Sequence, residues 1–157
     1  MRHIQKKHYS ETSSKQGQFM QNQQLSRPTA YFLEDDDLLR SLGRDALRLE
    51  LPENWNLEDF ASLEELKRAN SKLQGKIIIS DLNVQDAGPE QVLSYLAEVR
   101  LRSEVIILSG DEKWVRQLQG TGNAHVFDKA QFNAMENLLK TIASVVRKHE
   151  PVQSDSH

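Results

Sequence analysis

The segment KIIISDLNVQDAG, residues 76–88, runs from an apolar strand through an aspartate into a turn. Its isoleucines predict a buried strand, and Asp81 follows at the mouth of that strand. A charged carboxylate at such a position is costly unless a partner compensates it. Asp81 is therefore the first candidate for a functional residue.

Short apolar runs alternate with helical patterns on both sides of this segment. Strands are predicted at residues 30–33, 55–60, 76–80, 105–108 and 124–127. Helices are predicted at residues 37–49, from 62 toward 74, from 88 onward, through 114–118 and from 133 onward. This βα order, repeated five times with short connections, favours an α/β fold with a doubly wound five-stranded parallel sheet.

The helix predictions depend on capping residues and on apolar spacing. Asp36 or Asp37 is expected to cap the first helix, and Ser62 with Glu65 forms a capping-box pattern at the start of the second. Asn133 begins a similar pattern before the fifth. The spaced apolar residues are Leu38, Leu39, Leu42 and Ala46 in the first helix, Val92, Leu93, Leu96 and Val99 in the third, and Met135, Leu138, Leu139, Ile142 and Val146 in the fifth. We expect those of the third helix to form its inner stripe and those of the fifth to share one face.

The chain has 157 residues, 38% of them hydrophobic and 27% charged, which fits one globular domain with modest tails. We expect a disordered polar leader at residues 1–28, a folded domain at 29–148 and a disordered tail at 149–157. The absence of cysteine excludes disulfides, thiolate metal sites and cysteine nucleophiles, and it favours a reducing setting. No segment has the apolar length of a signal-peptide core or a membrane span, so we expect a soluble cytoplasmic protein.

Charge is distributed unevenly along the chain. Residues 1–28 carry a net charge of +4, so the remaining residues carry −7 of the overall −3. Because affinity for nucleic acid comes mainly from cations that neutralise phosphates, an acidic body argues against nucleic acid as its ligand. The basic leader is interpreted as a solvated tail.

Polar side chains follow four of the predicted strands. Ligands of such a sheet bind beyond the carboxyl ends of its strands, so these positions indicate where a site lies. They are Glu34, Asp35 and Asp36 after the first strand, Asp81 and Asn83 after the third, Ser109 after the fourth and Lys129 after the fifth. Three close carboxylates repel one another by roughly 3–4 kcal/mol per pair at an effective dielectric of about 20, so a cation is implied.

The chemistry of these groups favours Mg²⁺ and phosphoryl transfer. Oxygen ligands without histidine or cysteine suit Mg²⁺, which neutralises charge when a phosphoryl group moves. Asp81 is the candidate nucleophile and would become an aspartyl phosphate. Ser109 and Lys129 would each bind one phosphoryl oxygen.

Four motifs, FLEDDDLLRSL, IIISDLNV, VIILSG and HVFDK, occur in an order and at separations that resemble the response-regulator receiver domain of two-component signalling. The resemblance covers about residues 29–148. It implies a flavodoxin-like (βα)₅ fold that takes a phosphoryl group from a histidine kinase or a histidine phosphotransfer protein onto Asp81. It also implies that Glu34, Asp35 and the backbone carbonyl of Asn83 join Asp81 in binding Mg²⁺. Ser109 matches the family's switch hydroxyl, and Lys129 matches its lysine.

Some positions depart from the family's pattern. Gln85 stands where proline is usual, Gly88 comes early, and Ala130 replaces the proline that commonly follows the lysine. Val126 aligns with the aromatic residue that commonly moves with the switch hydroxyl. The pocket residues are retained, so these departures concern the output mechanism and not the predicted chemistry.

The sequence leaves three functional hypotheses open. The first is a stand-alone receiver that is phosphorylated on Asp81 and then changes its affinity for a downstream protein partner. Such a protein is a phosphoacceptor with at most self-phosphorylation and self-dephosphorylation chemistry, and we do not expect an enzyme. The alternative is a receiver-like interaction module that acts independently of phosphorylation. A small phosphatase with Asp81 as nucleophile is disfavoured, because Asn83 stands where a second aspartate is expected and there is no cap domain.

Overall fold

The computed structural model describes residues 27–121, 125–131 and 133–150. Within these residues, five strands and five helices alternate along the chain. They are β1 (Thr29–Leu33), α1 (Asp37–Glu50), β2 (Asn56–Phe60), α2 (Leu63–Ala69), β3 (Gly75–Asp81), α3 (Pro89–Val99), β4 (Glu104–Ser109), α4 (Glu112–Gln119), β5 (His125–Asp128) and α5 (Ala134–His149). The strands form one parallel sheet in the order β2-β1-β3-β4-β5. The predicted α/β doubly wound (βα)₅ fold is confirmed.

The sheet separates two hydrophobic layers, because successive side chains of a strand point to opposite faces. Ile78 packs in the layer beneath α2 and α3, whereas Ile77 and Ile79 pack in the layer beneath α1 and α5. All three isoleucines are fully buried. The uninterrupted apolar run of β3 therefore reflects a strand that is covered on both faces.

The first helix exists where it was predicted, and the side chain of Asp36 caps it by accepting a hydrogen bond from the Leu39 amide. The leucines whose spacing predicted this helix do not face the core, since Leu38 and Leu42 are more than half exposed. Gly43 and Leu47 form the buried face instead. A Cβ on Gly43 would lie 2.6 Å from the ring of Phe32, so glycine allows the helix to approach β1 closely.

The second helix is shorter than predicted, because it ends at Ala69 and not near Gln74. Asn70 follows it and is buried, where its side-chain oxygen accepts a hydrogen bond from the Gly75 amide at 3.0 Å. This bond turns the chain directly from α2 into β3. The helix signal continued past this point, but Asn70 bonds to the Gly75 amide and to the Tyr95 hydroxyl, and the second of these partners lies 25 positions away in the chain.

The inner stripe predicted for α3 is confirmed for Val92, Leu96 and Val99, which are buried, and Leu93 packs at its edge. In α5 the predicted Leu138, Ile142 and Val146 are buried, and Val145 joins them. Met135, in the first turn of the helix, is 45% exposed and is not among these buried residues.

No helix among the described residues is long and apolar enough to cross a membrane. The predicted disordered leader (residues 1–28) and tail (residues 149–157) lie outside the described residues, apart from residues 27–28 and 149–150.

Candidate functional site

The site lies at the edge of the sheet where the parallel strands end. Asp81 is the last residue of β3, the central strand, and Ser109 is the last residue of β4 beside it. Glu34 and Asp35 follow β1 on the other side of β3, and Lys129 follows β5. The sheet order therefore brings the predicted residues to one edge, although up to 95 positions separate them in the chain.

Lys129 joins two of the predicted acids. Its Nζ lies 2.8 Å from Oδ2 of Asp81 and 2.6 Å from Oε2 of Glu34. Its backbone amide donates to the carbonyl oxygen of Ser109 at 2.9 Å, a bond that continues the pairing of β4 and β5. The position of the ammonium group is thus set by the end of β5, and its two carboxylate partners come from other strands.

The environment of Lys129 stabilises its charged form. Burial by itself lowers the pKa of the Lys129 ammonium, but the hydrogen bonds and negative charges of Asp81 and Glu34 together raise that pKa above its ordinary value. Lys129 is therefore a fixed positive charge at neutral pH.

The two carboxylate oxygens of Asp81 have different partners. Oδ1 accepts a hydrogen bond from the Leu82 amide at 2.7 Å and a longer one from the Asn83 amide at 3.4 Å. Oδ2 is held by Lys129. The cost of a nearly buried carboxylate at the end of β3 is thus offset by backbone amides on one side and by an ammonium group on the other.

Glu34, Asp35 and Asp81 each place one carboxylate oxygen so that the three oxygens lie within 4.8 Å of one another. Glu34 is 2% exposed, and its second oxygen accepts a hydrogen bond from the Asp36 amide. Asp36 itself is exposed and serves as the cap of α1. The three-carboxylate set consists only of hard oxygen donors, the chemistry that Mg²⁺ prefers, so these residues fit the metal that the sequence implied.

The remaining predicted residues border this cluster. Asn83 is exposed, two positions beyond Asp81. Ser109 is buried, and its hydroxyl oxygen accepts a hydrogen bond from the Asp111 amide at 3.1 Å. That bond uses the oxygen as an acceptor, so the hydroxyl proton is available to a ligand.

Arg40 is a residue of the site that sequence reasoning missed. Its guanidinium donates to the carbonyl oxygens of Glu34 at 2.9 Å and Asp35 at 3.4 Å, and it lies 3.3 Å from the carboxylate of Asp59. The arginine therefore secures the turn that carries the acidic pair. Its sequence signal is an arginine one helical turn beyond a run of acids, a pattern that also fits an ordinary surface ion pair.

The residues around the predicted switch position lie on opposite faces of β5. Val126 is half-buried and packs against the layer beneath α2 and α3, whereas Phe127 packs against the layer beneath α1 and α5. His125 is exposed. Val126, which aligns with the family's usual aromatic residue, therefore lies on the same face of the sheet as Trp114 of α4.

No family model matches the sequence, and no curated protein is detectably similar to it. Solved structures do match the fold. The receiver domain of the Francisella response regulator 1452 aligns with a TM-score of 0.63 and 13% identity over 78% of this chain and 99% of that one. Chemotaxis response regulator CheY4 of Vibrio cholerae aligns with a TM-score of 0.59 and 17% identity over 76% of this chain and 99% of that one. Response regulator TrrA of Thermotoga maritima, in complex with Mg²⁺-BeF, aligns with a TM-score of 0.60 and 14% identity over 75% of this chain and 98% of that one.

Proposed function

We propose that this chain, which has the fold of response-regulator receiver domains, accepts a phosphoryl group on Asp81 from a histidine kinase or a histidine phosphotransfer protein. The observation that carries the proposal is the convergence of Asp81, Glu34, Asp35 and Lys129 at one edge of the sheet. One carboxylate stands at the centre of this group, with a cation beside it and two further acids within reach. That arrangement suits a nucleophile for phosphorus and is poorly explained as a purely structural ion pair.

In the proposed reaction, an oxygen of Asp81 forms a bond to phosphorus while the bond from phosphorus to the donor's histidine nitrogen breaks, and the nitrogen keeps the electron pair. The Leu82 amide and Lys129 orient the attacking carboxylate through the contacts described above. Lys129 and the hydroxyl of Ser109 then bind the oxygens of the transferred group. No water or further reagent is consumed in the transfer.

Glu34, Asp35, Asp81 and the backbone carbonyl of Asn83 would hold Mg²⁺. When bound, the metal supplies positive charge that offsets the repulsion between the phosphoryl group and the carboxylates. The side chains of this site supply oxygen ligands, and Lys129 supplies one charge against three carboxylates, which leaves a net negative pocket.

The proposed output is a change in affinity for a downstream protein partner. A phosphoryl group adds about −1.5 to −2 charges at neutral pH, and Lys129 and Ser109 must rearrange to satisfy it. Lys129 donates hydrogen bonds to both Asp81 and Glu34. A phosphoryl group on Asp81 would compete with these two carboxylates for the Lys129 ammonium group. The surface over the ends of β4 and β5 is where this change would be transmitted.

The test uses acetyl phosphate as the phosphoryl donor with Mg²⁺, followed by intact-mass measurement. The wild-type chain should gain the mass of one phosphoryl group, and neither Asp81→Asn nor wild type with EDTA should do so. A chain that gains no phosphoryl group, or an Asp81→Asn variant that still gains one, would refute the proposal.

A second candidate function is a receiver-like interaction module that binds its partner without phosphorylation. It is favoured by Val126 at the switch position and by an ion network in which Lys129 already satisfies Asp81 and Glu34. Partner affinity separates the two functions. Equal binding by wild type and Asp81→Ala supports the constitutive module, whereas binding that rises only on phosphorylation supports the switch.

A further inference from the structure

The loop that follows Asp81 closes into a tight turn. Val84 and Ala87 exchange two backbone hydrogen bonds, from the Val84 amide to the Ala87 carbonyl at 3.2 Å and from the Ala87 amide to the Val84 carbonyl at 3.3 Å. Both side chains are buried in the layer beneath α2 and α3, together with Leu82. Gln85 and Asp86 occupy the exposed corner of the turn.

Asp86 connects this turn to the start of α2. Its Oδ1 accepts a hydrogen bond from the Leu63 amide at 2.8 Å, and its Oδ2 accepts one from the Glu64 amide at 3.1 Å. The first amides of a helix have no partner within the helix, so a carboxylate there satisfies two donors and faces the positive end of the helix dipole. Ser62, the residue before the helix, separately accepts from the Glu65 amide.

The turn held by Asp86 begins directly at the site. Leu82 and Asn83, whose amides donate to Oδ1 of Asp81, are the only residues between Asp81 and the Val84–Ala87 turn. With so few intervening residues, a shift of the turn moves the backbone that orients the Asp81 carboxylate and carries the Asn83 carbonyl. The Asp86 carboxylate fixes the far end of that segment to a separate element of the fold.

We propose that Asp86 is a positioning residue for the phosphoryl-accepting site. Its carboxylate is hydrogen-bonded to the start of α2 and not to Asp81. It clamps the loop of residues 82–87 to the N-terminus of α2 and thereby holds the Leu82 amide and the Asn83 carbonyl in place. The effect on phosphorylation of Asp81 rests on the proposed function. The clamp itself consists of contacts within the protein and depends on neither metal nor phosphate.

The experiment compares Asp86→Ala with Ser62→Ala in the full chain. Both substitutions remove side-chain caps from the same end of α2, two hydrogen bonds from Asp86 and one from Ser62, so Ser62→Ala controls for the loss of a cap at that end. Only Asp86→Ala also releases the loop. Amide hydrogen exchange of Val84 and Ala87, measured without metal, reports on the loop directly, and a Mg²⁺ titration followed by backbone amide shifts reports on the site.

We expect Asp86→Ala to speed the exchange of the Val84 and Ala87 amides and to weaken Mg²⁺ binding by about tenfold, as residues that orient metal ligands commonly do. Ser62→Ala should leave both measurements within about twofold of wild type, and Asp86→Asn, which retains one accepting oxygen, should fall between them. Equal effects from Asp86→Ala and Ser62→Ala would show that Asp86 is only a helix cap and would overturn the proposal, as would a loop and a site unchanged in Asp86→Ala.

The failure of the proposed function is a separate result. If wild type gains no phosphoryl group and binds no Mg²⁺, the proposed function is refuted. The hydrogen exchange comparison still decides whether Asp86 clamps the loop, because it involves neither metal nor phosphate. Faster exchange of the Val84 and Ala87 amides in Asp86→Ala, but not in Ser62→Ala, supports the clamp. Unchanged exchange in Asp86→Ala overturns it.

Discussion

The ammonium nitrogen of Lys129 lies 2.6 Å from a carboxylate oxygen of Glu34, although 95 positions separate the two residues in the chain. Glu34 is almost fully buried, and Lys129 also binds Asp81. One cation therefore compensates two acids at the ends of two different strands, β1 and β3. Removing that cation leaves both acids in a poorly solvated site, which is the basis of the first two predictions.

Lys129→Met should destabilise the chain by about 2 kcal/mol at neutral pH, a value below that of a fully buried ion pair because Lys129 keeps some contact with solvent. Methionine conserves most of the volume and removes the charge. Urea denaturation of the two proteins measures the difference. Lys148→Met, which removes an exposed lysine that pairs with Glu104, is the control and should change stability little. Equal losses in the two variants would show that the Lys129 network contributes no special stability.

The stabilisation from Lys129 should disappear at high pH. Its pKa in the folded chain is raised above the ordinary value of 10.5 by Asp81 and Glu34, which outweigh the opposing effect of burial. A raised pKa in the folded state contributes stability that is complete below the unfolded pKa and is lost as pH rises through the folded one. The difference in unfolding free energy between wild type and Lys129→Met should therefore be constant from neutral pH to about pH 10 and shrink above it. A difference that stays constant to pH 12 would contradict this assignment.

Arg40→Ala should cost more stability than Arg44→Ala. Both arginines pair with Asp59, but Arg44 is half exposed, whereas Arg40 is mostly buried and also donates to the Glu34 carbonyl. We expect losses of about 2 kcal/mol for Arg40→Ala and below about 1 kcal/mol for Arg44→Ala, measured by chemical denaturation. Equal losses of stability in the two variants would show that the hydrogen bond from Arg40 to the Glu34 carbonyl does not stabilise the fold.

Asn70→Ala should destabilise the chain by about 2–3 kcal/mol, because two buried groups lose their partners. The Asn70 side chain accepts from the Gly75 amide and donates to the hydroxyl of Tyr95, each at 3.0 Å. Tyr95→Phe removes only the second bond and should cost about 1 kcal/mol. Thermal or urea unfolding of both variants checks the order, and a larger loss for Tyr95→Phe would contradict the role given to Asn70.

Gly43→Ala should destabilise the chain by about 1–2 kcal/mol, even though alanine favours a helix over glycine by about 1 kcal/mol. The added methyl group would lie 2.6 Å from the ring of Phe32, a distance that forces one of the two elements to move. Combined with Phe32→Leu, the same substitution should be neutral or stabilising, because the ring edge is gone. A double-mutant cycle measures this coupling, and additive effects would show that the contact with Phe32 is not the cause.

The strands, their order along the chain and the composition of the site were predictable from local patterns. A run such as Ile77–Ile79 specifies a strand covered on both faces, and parallel strands must end at the same edge of their sheet. Residues that follow the strands, among them Asp81, Ser109 and Lys129, are therefore expected near one another without any knowledge of the contacts. The structure places them at that edge.

The features that the sequence did not predict depend on contacts between separate secondary-structure elements. The spacing of Leu38 and Leu42 predicted a helix but not its orientation, since Gly43 faces the core only because Phe32 of β1 requires a close approach there. The end of α2 depends on Asn70 meeting Gly75 and Tyr95. Periodicity is a property of a few neighbouring residues and is visible in the chain itself, as is the choice of helix or strand. Which donor meets which acceptor is settled only when the fold brings segments 22 to 95 positions apart into contact. A hydrogen bond depends on a distance of about 3 Å between such segments, and no local pattern encodes that distance.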